Sequence, residues 1–169
     1  MSFESEPTLK TTRANIYGRC LPCIQHLYYQ LKAGATEIEL GNAYHCWKVT
    51  AVLKGIEDCL ALLHEFEKRF PGGHVYGKFG SGRPFSKTMA VVFHTENKTA
   101  RDQVKKRLEL CLPVVNMEAE IKVSRACAVL YEAILGDWRN WRPITPIRHP
   151  EKVETLLQRI KQTLFWSVM

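Results

Sequence analysis

The fold is decided by residues 45–73, HCWKVTAVLKGIEDCLALLHEFEKRFPGG, in which a strand pattern gives way to a helix pattern. Apolar and polar residues alternate from His45 to Leu53, which is the period of a strand with one buried face. The residues that follow repeat apolar side chains at helical spacing until a Pro-Gly-Gly sequence ends the pattern. The predicted apolar stripe of this helix comprises Ile56, Cys59, Leu60, Leu63, Phe66 and Phe70. These residues therefore predict a β-strand followed directly by an amphipathic helix.

The same kinds of pattern continue towards the C-terminus. Further strand patterns cover residues 74–79, 87–94 and 119–124, and a second helix pattern covers residues 95–111. In this helix Thr99 and Asp102 have the spacing of a capping box. The resulting order is strand, helix, strand, strand, helix, strand, which is the ferredoxin-like βαββαβ arrangement of the α+β class. We therefore predict a ferredoxin-like core over about residues 43–124, with both amphipathic helices on one face of the sheet.

Shorter elements flank this core on both sides. In the N-terminal part, residues 2–12 predict a loose tail, a helix is expected from about Pro22 to Ala33, and TEIEL, residues 36–40, predicts a short strand. In the C-terminal part, two helix patterns flank the proline-rich stretch 137–150, which predicts an irregular linker. We predict a single domain with an N-terminal extension, the ferredoxin-like core and a C-terminal helical extension, at residues 1–42, 43–124 and 125–169.

The formal net charge of +7 is unevenly distributed along the chain. Between His74 and Leu110 there are eight lysines and arginines against three acids, whereas residues 1–73 carry no net charge. A local excess of positive charge indicates an acidic partner more strongly than a uniform excess would. We therefore expect an anionic ligand or nucleic acid as the partner. Phosphate contacts without sequence preference are expected from the helix cations Lys98, Lys105, Lys106 and Arg107.

The composition is that of an ordinary globular protein, with 46% hydrophobic and 24% charged residues. No apolar run approaches the roughly 18 residues that a membrane-spanning helix needs. The first residues, MSFESEPTLKTTR, contain acids and no apolar signal region. The six cysteines therefore indicate reduced thiols rather than a disulfide framework. We expect a soluble cytoplasmic protein without a membrane partner.

Glycines and cations are combined in HVYGKFGSGRPFSKT, residues 74–88, which joins the second and third core strands. The glycines would turn backbone N–H groups towards an anion, and the cations would supply charge. The stretch contains neither G-x-x-x-x-G-K-[ST] nor G-x-G-x-x-G, and a charged hairpin tip is the alternative interpretation. We predict a non-catalytic binding or regulatory module for a nucleotide, a phosphate or a nucleic-acid backbone; no motif indicates a reaction or a cofactor. The predicted ligand-binding residues are Lys78, Gly80, Gly82, Arg83 and Lys87.

The stretch SKTMAVVFHT, residues 86–95, resembles the third-strand signature of the RNA-recognition motif. The basic, small and aliphatic positions of that signature are matched by Lys87, Ala90 and Val92. Met89 and Val91 stand where the signature has aromatic rings, and base stacking on rings is how RNA readers of this class bind. The resemblance therefore implies the βαββαβ fold and no base-stacking function.

A second candidate site lies in GRCLPCIQH, near the start of the predicted N-terminal helix. Its C-x-x-C sequence resembles a thioredoxin motif. A thiol at a helix N-terminus is favoured as a thiolate, which is the basis of redox chemistry in such motifs. The same residues, together with His45 and Cys46 at the strand predicted over residues 45–53, have the ligand types of a tetrahedral zinc site. A thiol-redox or metal-binding protein is therefore the alternative function, and inert packing of the cysteines is the simplest interpretation. The predicted metal ligands are Cys20, Cys23 and His26.

Strand alternation gives the predicted sheet a second face, opposite the helices. The centre of this face is apolar and consists of Val52, Ala90 and Val92. An apolar centre on an open sheet is usually covered. The extra helices or a second subunit would cover it, so a homo-oligomer, or a structural subunit of an oligomer, is a further interpretation.

Overall fold

The structure is a computed structural model that describes residues 1–9, 16–71, 76–80 and 89–166. The helices are α1 (Ile16–Lys32), α2 (Asn42–His45), α3 (Ile56–Arg69), α4 (Lys98–Val114), α5 (Ala128–Leu135) and α6 (Val153–Trp166). The strands are β1 (Glu37–Glu39), β2 (Trp47–Leu53), β3 (Tyr76–Gly80), β4 (Met89–Thr95), β5 (Glu120–Arg125) and β6 (Ile144–Pro146). Short 3-10 turns lie at Phe3–Ser5, Trp138–Asn140 and Pro150–Lys152.

The chain divides into two compact units, and each unit is made of two segments. The first unit comprises Met1–Ile16 with Cys46–Ser124, and the second comprises Tyr17–His45 with Arg125–Met169. The predicted ferredoxin-like core, residues 43–124, therefore lies almost wholly in the first unit. Most of the two predicted extensions together make up the second unit.

The first unit contains a four-stranded sheet in the order β3-β4-β2-β5. Strand β4 runs antiparallel to both of its neighbours, because Val91 lies opposite Ala51 on β2 and opposite Phe79 on β3. The chain order of the elements is β2-α3-β3-β4-α4-β5. The predicted ferredoxin-like βαββαβ fold is therefore confirmed. The inner position of β4 agrees with its nearly continuous apolar sequence.

One face of this sheet packs against α3 and α4 and forms the core of the first unit. Burial alternates along β2 as the sequence predicts, with Val49 and Ala51 fully buried. The predicted stripe of α3 was wrong at two positions. Ile56 is 38% exposed, whereas Leu62, which the prediction omitted, is fully buried. Leu62 follows Cys59 by three residues and therefore lies on the same face of the helix.

Helix α4 begins at a different cap from the predicted one. The side-chain oxygen of Asn97 accepts a hydrogen bond of 2.8 Å from the backbone N–H of Ala100. Thr99 lies inside the first turn, so the predicted capping box with Asp102 was wrong. The carboxylate of Asp102 instead accepts a hydrogen bond of 2.9 Å from Nε of Arg101.

The first nine residues pack against the first unit, so the prediction of a loose tail over residues 2–12 was wrong for its described part. Phe3 is 1% exposed and Leu9 is 8% exposed, and both belong to the hydrophobic core of this unit. Two apolar side chains separated by five residues show neither the helix nor the strand period. Local pattern therefore gave no reason to place this segment in the core.

The second unit joins α1, α2, α5 and α6 to a two-stranded sheet. Strand β1 pairs antiparallel with β6, and Ile38 lies opposite Thr145. Because β6 lies within residues 137–150, the prediction of an irregular linker there was wrong. Pro143 and Pro146 favour a loop over a strand at this position of the sequence, since proline has no N–H to donate and is confined to edge strands.

The helices of the second unit bury apolar side chains that recur at helical spacing. Gly34, with φ of +79°, follows the end of α1 as the expected stop. Buried members of this core include Leu27, Leu31, Tyr131, Ile134, Leu156 and Ile160. None of the helices in the described part of the chain is long and apolar enough to cross a membrane.

Candidate functional site

Two of the five predicted ligand-binding residues lie in the described part of the chain. Lys78 is exposed in the middle of β3. Gly80 ends the same strand with φ of +116°, a conformation that residues with a side chain rarely adopt. The other three, Gly82, Arg83 and Lys87, lie outside the described residues.

Gly77, a third glycine of the hairpin sequence, has a packing role. An added Cβ would lie 2.5 Å from carbon atoms of the Phe3 ring and still closer to the carbonyl oxygen of Val92. A contact of that length is sterically forbidden, so only glycine fits between the ring and β4. The glycine content of this stretch is therefore explained partly by the core and only partly by its loop.

The antiparallel register arranges the second face of the sheet in three rows across β3, β4 and β2. Successive rows are separated by about 7 Å, since a strand rises about 3.4 Å per residue. From the end that leads into the hairpin, the rows are Gly80, Ala90 and Val52; Lys78, Val92 and Thr50; and Tyr76, His94 and Lys48. The two rows farther from the hairpin therefore place two cations, a hydroxyl and a phenol on one face.

Strand β5 adds a third cation to this face. Ile121 and Val123 pack against the core, so Lys122 between them lies on the other face of the sheet. Its Nζ lies 3.7 Å from a carboxylate oxygen of Glu120, and both side chains are largely exposed. We call this surface the basic sheet face, and it consists of Lys48, Thr50, Tyr76, Lys78, His94 and Lys122.

Of this set, only Lys78 belongs to the predicted ligand-binding residues. The strand alternation was sufficient to assign the remaining residues to the same face. Alternation does not say which residues of neighbouring strands lie side by side, because that depends on register. The register places Thr50 and Lys78 in one row, and it places Lys48 in the next.

Two of the cations on α4 are used within the first unit. The guanidinium of Arg101 lies 4.4 Å from the centre of the Trp47 ring, and its Nε donates to Asp102. This hydrogen bond holds the pKa of Asp102 below its ordinary value. Arg107 lies 4.8 Å from the centre of the Phe70 ring. Both arginines cover apolar rings, so the basic sequence of α4 overstates the charge that it offers to a ligand.

Strand β4 differs from the RNA-recognition motif in which of its residues face the core. Val91 is fully buried, and Met89 packs against the same core. The positions at which the motif has rings therefore face the helices, whereas Ala90, Val92 and His94 occupy the second face. A ring at position 89 or 91 would not reach a base on that face.

The C-x-x-C sequence does not lie at a helix N-terminus. Helix α1 begins at Ile16 and contains Pro22, so its start was predicted six residues too late. Cys20 lies beyond the first turn, where the influence of the helix dipole has faded. The carbonyl oxygen of Cys23 accepts a hydrogen bond of 3.3 Å from the hydroxyl of Tyr131. The electrostatic argument for an activated thiol is therefore removed.

The described residues do not bring the three predicted metal ligands together as one group. His26 is exposed on α1, while Cys20 and Cys23 are half-buried. Within the described residues, no group of three His, Cys, Asp or Glu side chains is arranged to hold a metal ion. Burial raises the pKa of the Cys59 and Cys111 thiols, as expected for inert core residues.

Comparisons with known proteins do not assign the chain to a family. No protein-family model matches the sequence, and no curated protein matches it. Among solved structures, the chain is similar to the ligand-free regulatory subunit of aspartate kinase from Thermus thermophilus. The identity is 13% and the TM-score is 0.35, over 70% of this chain and 92% of that chain. A likeness of this degree carries no information about ligand or activity.

Proposed function

We propose that the protein is a non-catalytic binding module that takes an anionic ligand on the basic sheet face, next to the β3–β4 hairpin. The ligand class comprises phosphate, nucleotides and the backbone of nucleic acids. The observation that carries this proposal is the placement of Lys78. It is exposed, it lies two residues before Gly80, and it shares a row with Thr50.

The charges of the basic sheet face favour an anion with more than one phosphate group. Lys48 and Lys78 are separated by one intervening strand and one row, which corresponds to about 12 Å between their Cα atoms. Lysine side chains span such a distance together, and each provides three donors without an acceptor. Two ammonium groups would therefore neutralise neighbouring phosphates. The hydroxyl of Thr50, which lies two residues from Lys48 on β2 and in the row of Lys78, would supply a neutral hydrogen bond.

The hairpin would extend this site beyond the sheet. Gly80 leads directly into it, and the sequence adds Arg83 and Lys87 before β4 begins. Backbone N–H groups near glycines with positive φ are suited to anions, because no Cβ blocks the approach. The proposed site therefore combines cations on the sheet with backbone donors from the hairpin.

Calorimetric titration with inorganic pyrophosphate, ATP and a single-stranded oligonucleotide tests this function. We expect Lys78→Ala to weaken binding by about tenfold, because a hydrogen bond to a charged group contributes about 1.5–3 kcal/mol. The affinity should also fall as salt rises, since cations provide most of the attraction. Comparison of the three ligands then identifies which source of phosphate is preferred.

The matched control is Lys68→Ala. Lys68 is exposed on α3, which packs on the opposite face of the sheet, and its removal changes the net charge equally. We expect this variant to bind nearly as well as the unchanged protein. Equal affinities for the two variants, or no binding of any of the three anions, would refute the proposal. A triple alanine variant at Lys78, Arg83 and Lys87, compared with Lys78→Ala, measures how much the two hairpin cations add to the affinity.

A further inference from the structure

The N-terminal residues pair with the edge of β3 through an isolated antiparallel bridge. The backbone N–H of Phe79 donates to the carbonyl oxygen of Met1 at 2.8 Å, and the N of Met1 donates to the carbonyl oxygen of Phe79 at 3.0 Å. Ser2 forms an antiparallel bridge with Lys78. Strand β3 is the last strand in the order of the sheet, so this pairing covers an edge that would otherwise expose its backbone groups.

Phe3 anchors this segment in the core of the first unit. Its ring stacks on Phe79 at 6.4 Å between centres and meets Phe93 edge-on at 5.1 Å. The ring fills the hollow that Gly77 leaves on β3. Aromatic pairs of this kind add attraction beyond the burial of area. The segment is therefore held by its backbone at two β3 residues and by a buried ring at a third.

A polar contact fixes the other end of the segment to α3. The hydroxyl of Thr8 lies 2.6 Å from Nε2 of His64 and donates to the carboxylate of Glu6 at 2.8 Å. Leu9 then enters the hydrophobic core. Residues 1–9, which we call the strap, are thus attached to both β3 and α3.

We infer that the strap positions the anion site, and that Phe3 is a positioning residue acting through β3. The strap touches Gly77, Lys78 and Phe79 in succession, and the next residue is Gly80, where the hairpin begins. Attachment of the strap determines the path of this edge strand and therefore where the ammonium of Lys78 lies. This inference rests on the proposed function.

Coupling of this kind acts in both directions. If the attached strap increases the affinity for an anion, the bound anion must favour the attached strap by the same factor. The amide of Phe79 reports directly on attachment, because its partner is the carbonyl oxygen of Met1. Protection of this amide from hydrogen exchange should therefore rise when the site is filled.

The first test compares the affinity of full-length variants for inorganic pyrophosphate. Phe3→Ala should weaken binding by roughly fivefold or more, a typical size for coupling between sites. Leu108→Ala is the matched control, since Leu108 is fully buried in the same core but lies on α4. It should lower stability while leaving the affinity unchanged. Phe3→Leu, which keeps an apolar side chain over Gly77, should restore part of the affinity.

The second test uses the unchanged protein and is independent of how the variants fold. Pyrophosphate at saturation should slow exchange of the Phe79 amide by roughly fivefold or more. The Ala100 amide, held by the Asn97 side chain in the same unit, should exchange at an unchanged rate. Pyrophosphate binding with no change at Phe79, or with equal affinities for Phe3→Ala and Leu108→Ala, would overturn the strap inference alone. No pyrophosphate binding by the unchanged protein would overturn the proposed function and this inference together.

Discussion

At the scale of single residues, Phe3 and Gly77 are complementary shapes on neighbouring segments. The ring is buried against β3 because position 77 has no Cβ. Neither residue is informative alone: an N-terminal phenylalanine and a glycine before a hairpin are both common. Their packing roles can be recognised only from the contact between the two segments in the structure.

We predict that Gly77→Ala destabilises the first unit by about 1–3 kcal/mol, the usual cost of overpacking a core. The added methyl group would require movement of the Phe3 ring or of the Val92 carbonyl. Urea denaturation measures the free energy of unfolding. Gly55→Ala is the control, because a Cβ at Gly55, the N-cap of α3, meets nothing within 4 Å, so only the smaller cost of a poorer cap is expected. Equal losses for the two variants would contradict the packing role of Gly77.

Glu6 provides a prediction about pH at the same scale. The Thr8 hydroxyl, followed by the Thr8 amide, donates to its carboxylate and holds the pKa of Glu6 below its ordinary value, with a smaller contribution from His64. A carboxyl group whose pKa is lowered by folding stabilises the fold above its unfolded pKa, about 4.3. That contribution is lost as the pH falls through the lower folded value.

We predict that an NMR titration of the Glu6 carboxyl carbon gives a pKa below that of an unstructured peptide. Thr8→Ala should return it towards the ordinary value, because both the hydroxyl donor and the turn are affected. Ser5→Ala is the control, since the hydroxyl of Ser5 pairs with that of Ser2. An unchanged Glu6 pKa in Thr8→Ala would show that the carboxylate is not held by this threonine.

At the scale of elements, the helices and strands of the first unit follow their local patterns, and apart from the omitted Leu62 the errors occur at their ends. Helix α4 illustrates this, because both Asn97 and Thr99 precede the apolar stripe and both are residues that cap helices. The choice between them depends on which residue leaves strand β4 in an extended conformation. Asn97, with φ of −160° and ψ of 174°, is that residue.

We predict that Asn97→Ala lowers the free energy of unfolding by about 1 kcal/mol, the typical cost of removing an N-cap. Asn97→Asp should retain most of the stability, because its carboxylate also accepts from the Ala100 N–H. Thr99→Ala distinguishes the two candidate caps and should cost clearly less than Asn97→Ala. The order of the two losses in urea denaturation would be reversed if Thr99 were the cap.

At the scale of the whole molecule, the chain order separates the two segments of each unit. The second unit needs the pairing of β1 with β6, strands that lie before and after Cys46–Ser124 in the sequence. The apolar centre of the second sheet face, with Val52, Ala90 and Val92 half-buried, keeps the homo-oligomer as a prediction. Pairing two copies through this face would also bring together the lysines of both basic sheet faces.

We therefore predict self-association that increases with ionic strength. At about 0.02 M salt, repulsion between the facing lysines extends beyond 10 Å and should keep the protein at its chain mass of 19.5 kDa. At about 0.5 M salt that repulsion is screened, and light scattering should show a larger average mass. Lys78→Ala should lower the salt needed. A mass that does not change with salt would contradict pairing through this face.

The sequence by itself determined the order of elements in the first unit, the alternating burial along β2 and most of the buried stripe of α3. These features depend on periods of two and 3.6 residues, which neighbouring side chains set locally. Only the tertiary structure decided the place of Phe3, the strand β6 and the neighbours of Lys78. Each of these depends on which distant segments pair and in which register, and no local period records that choice.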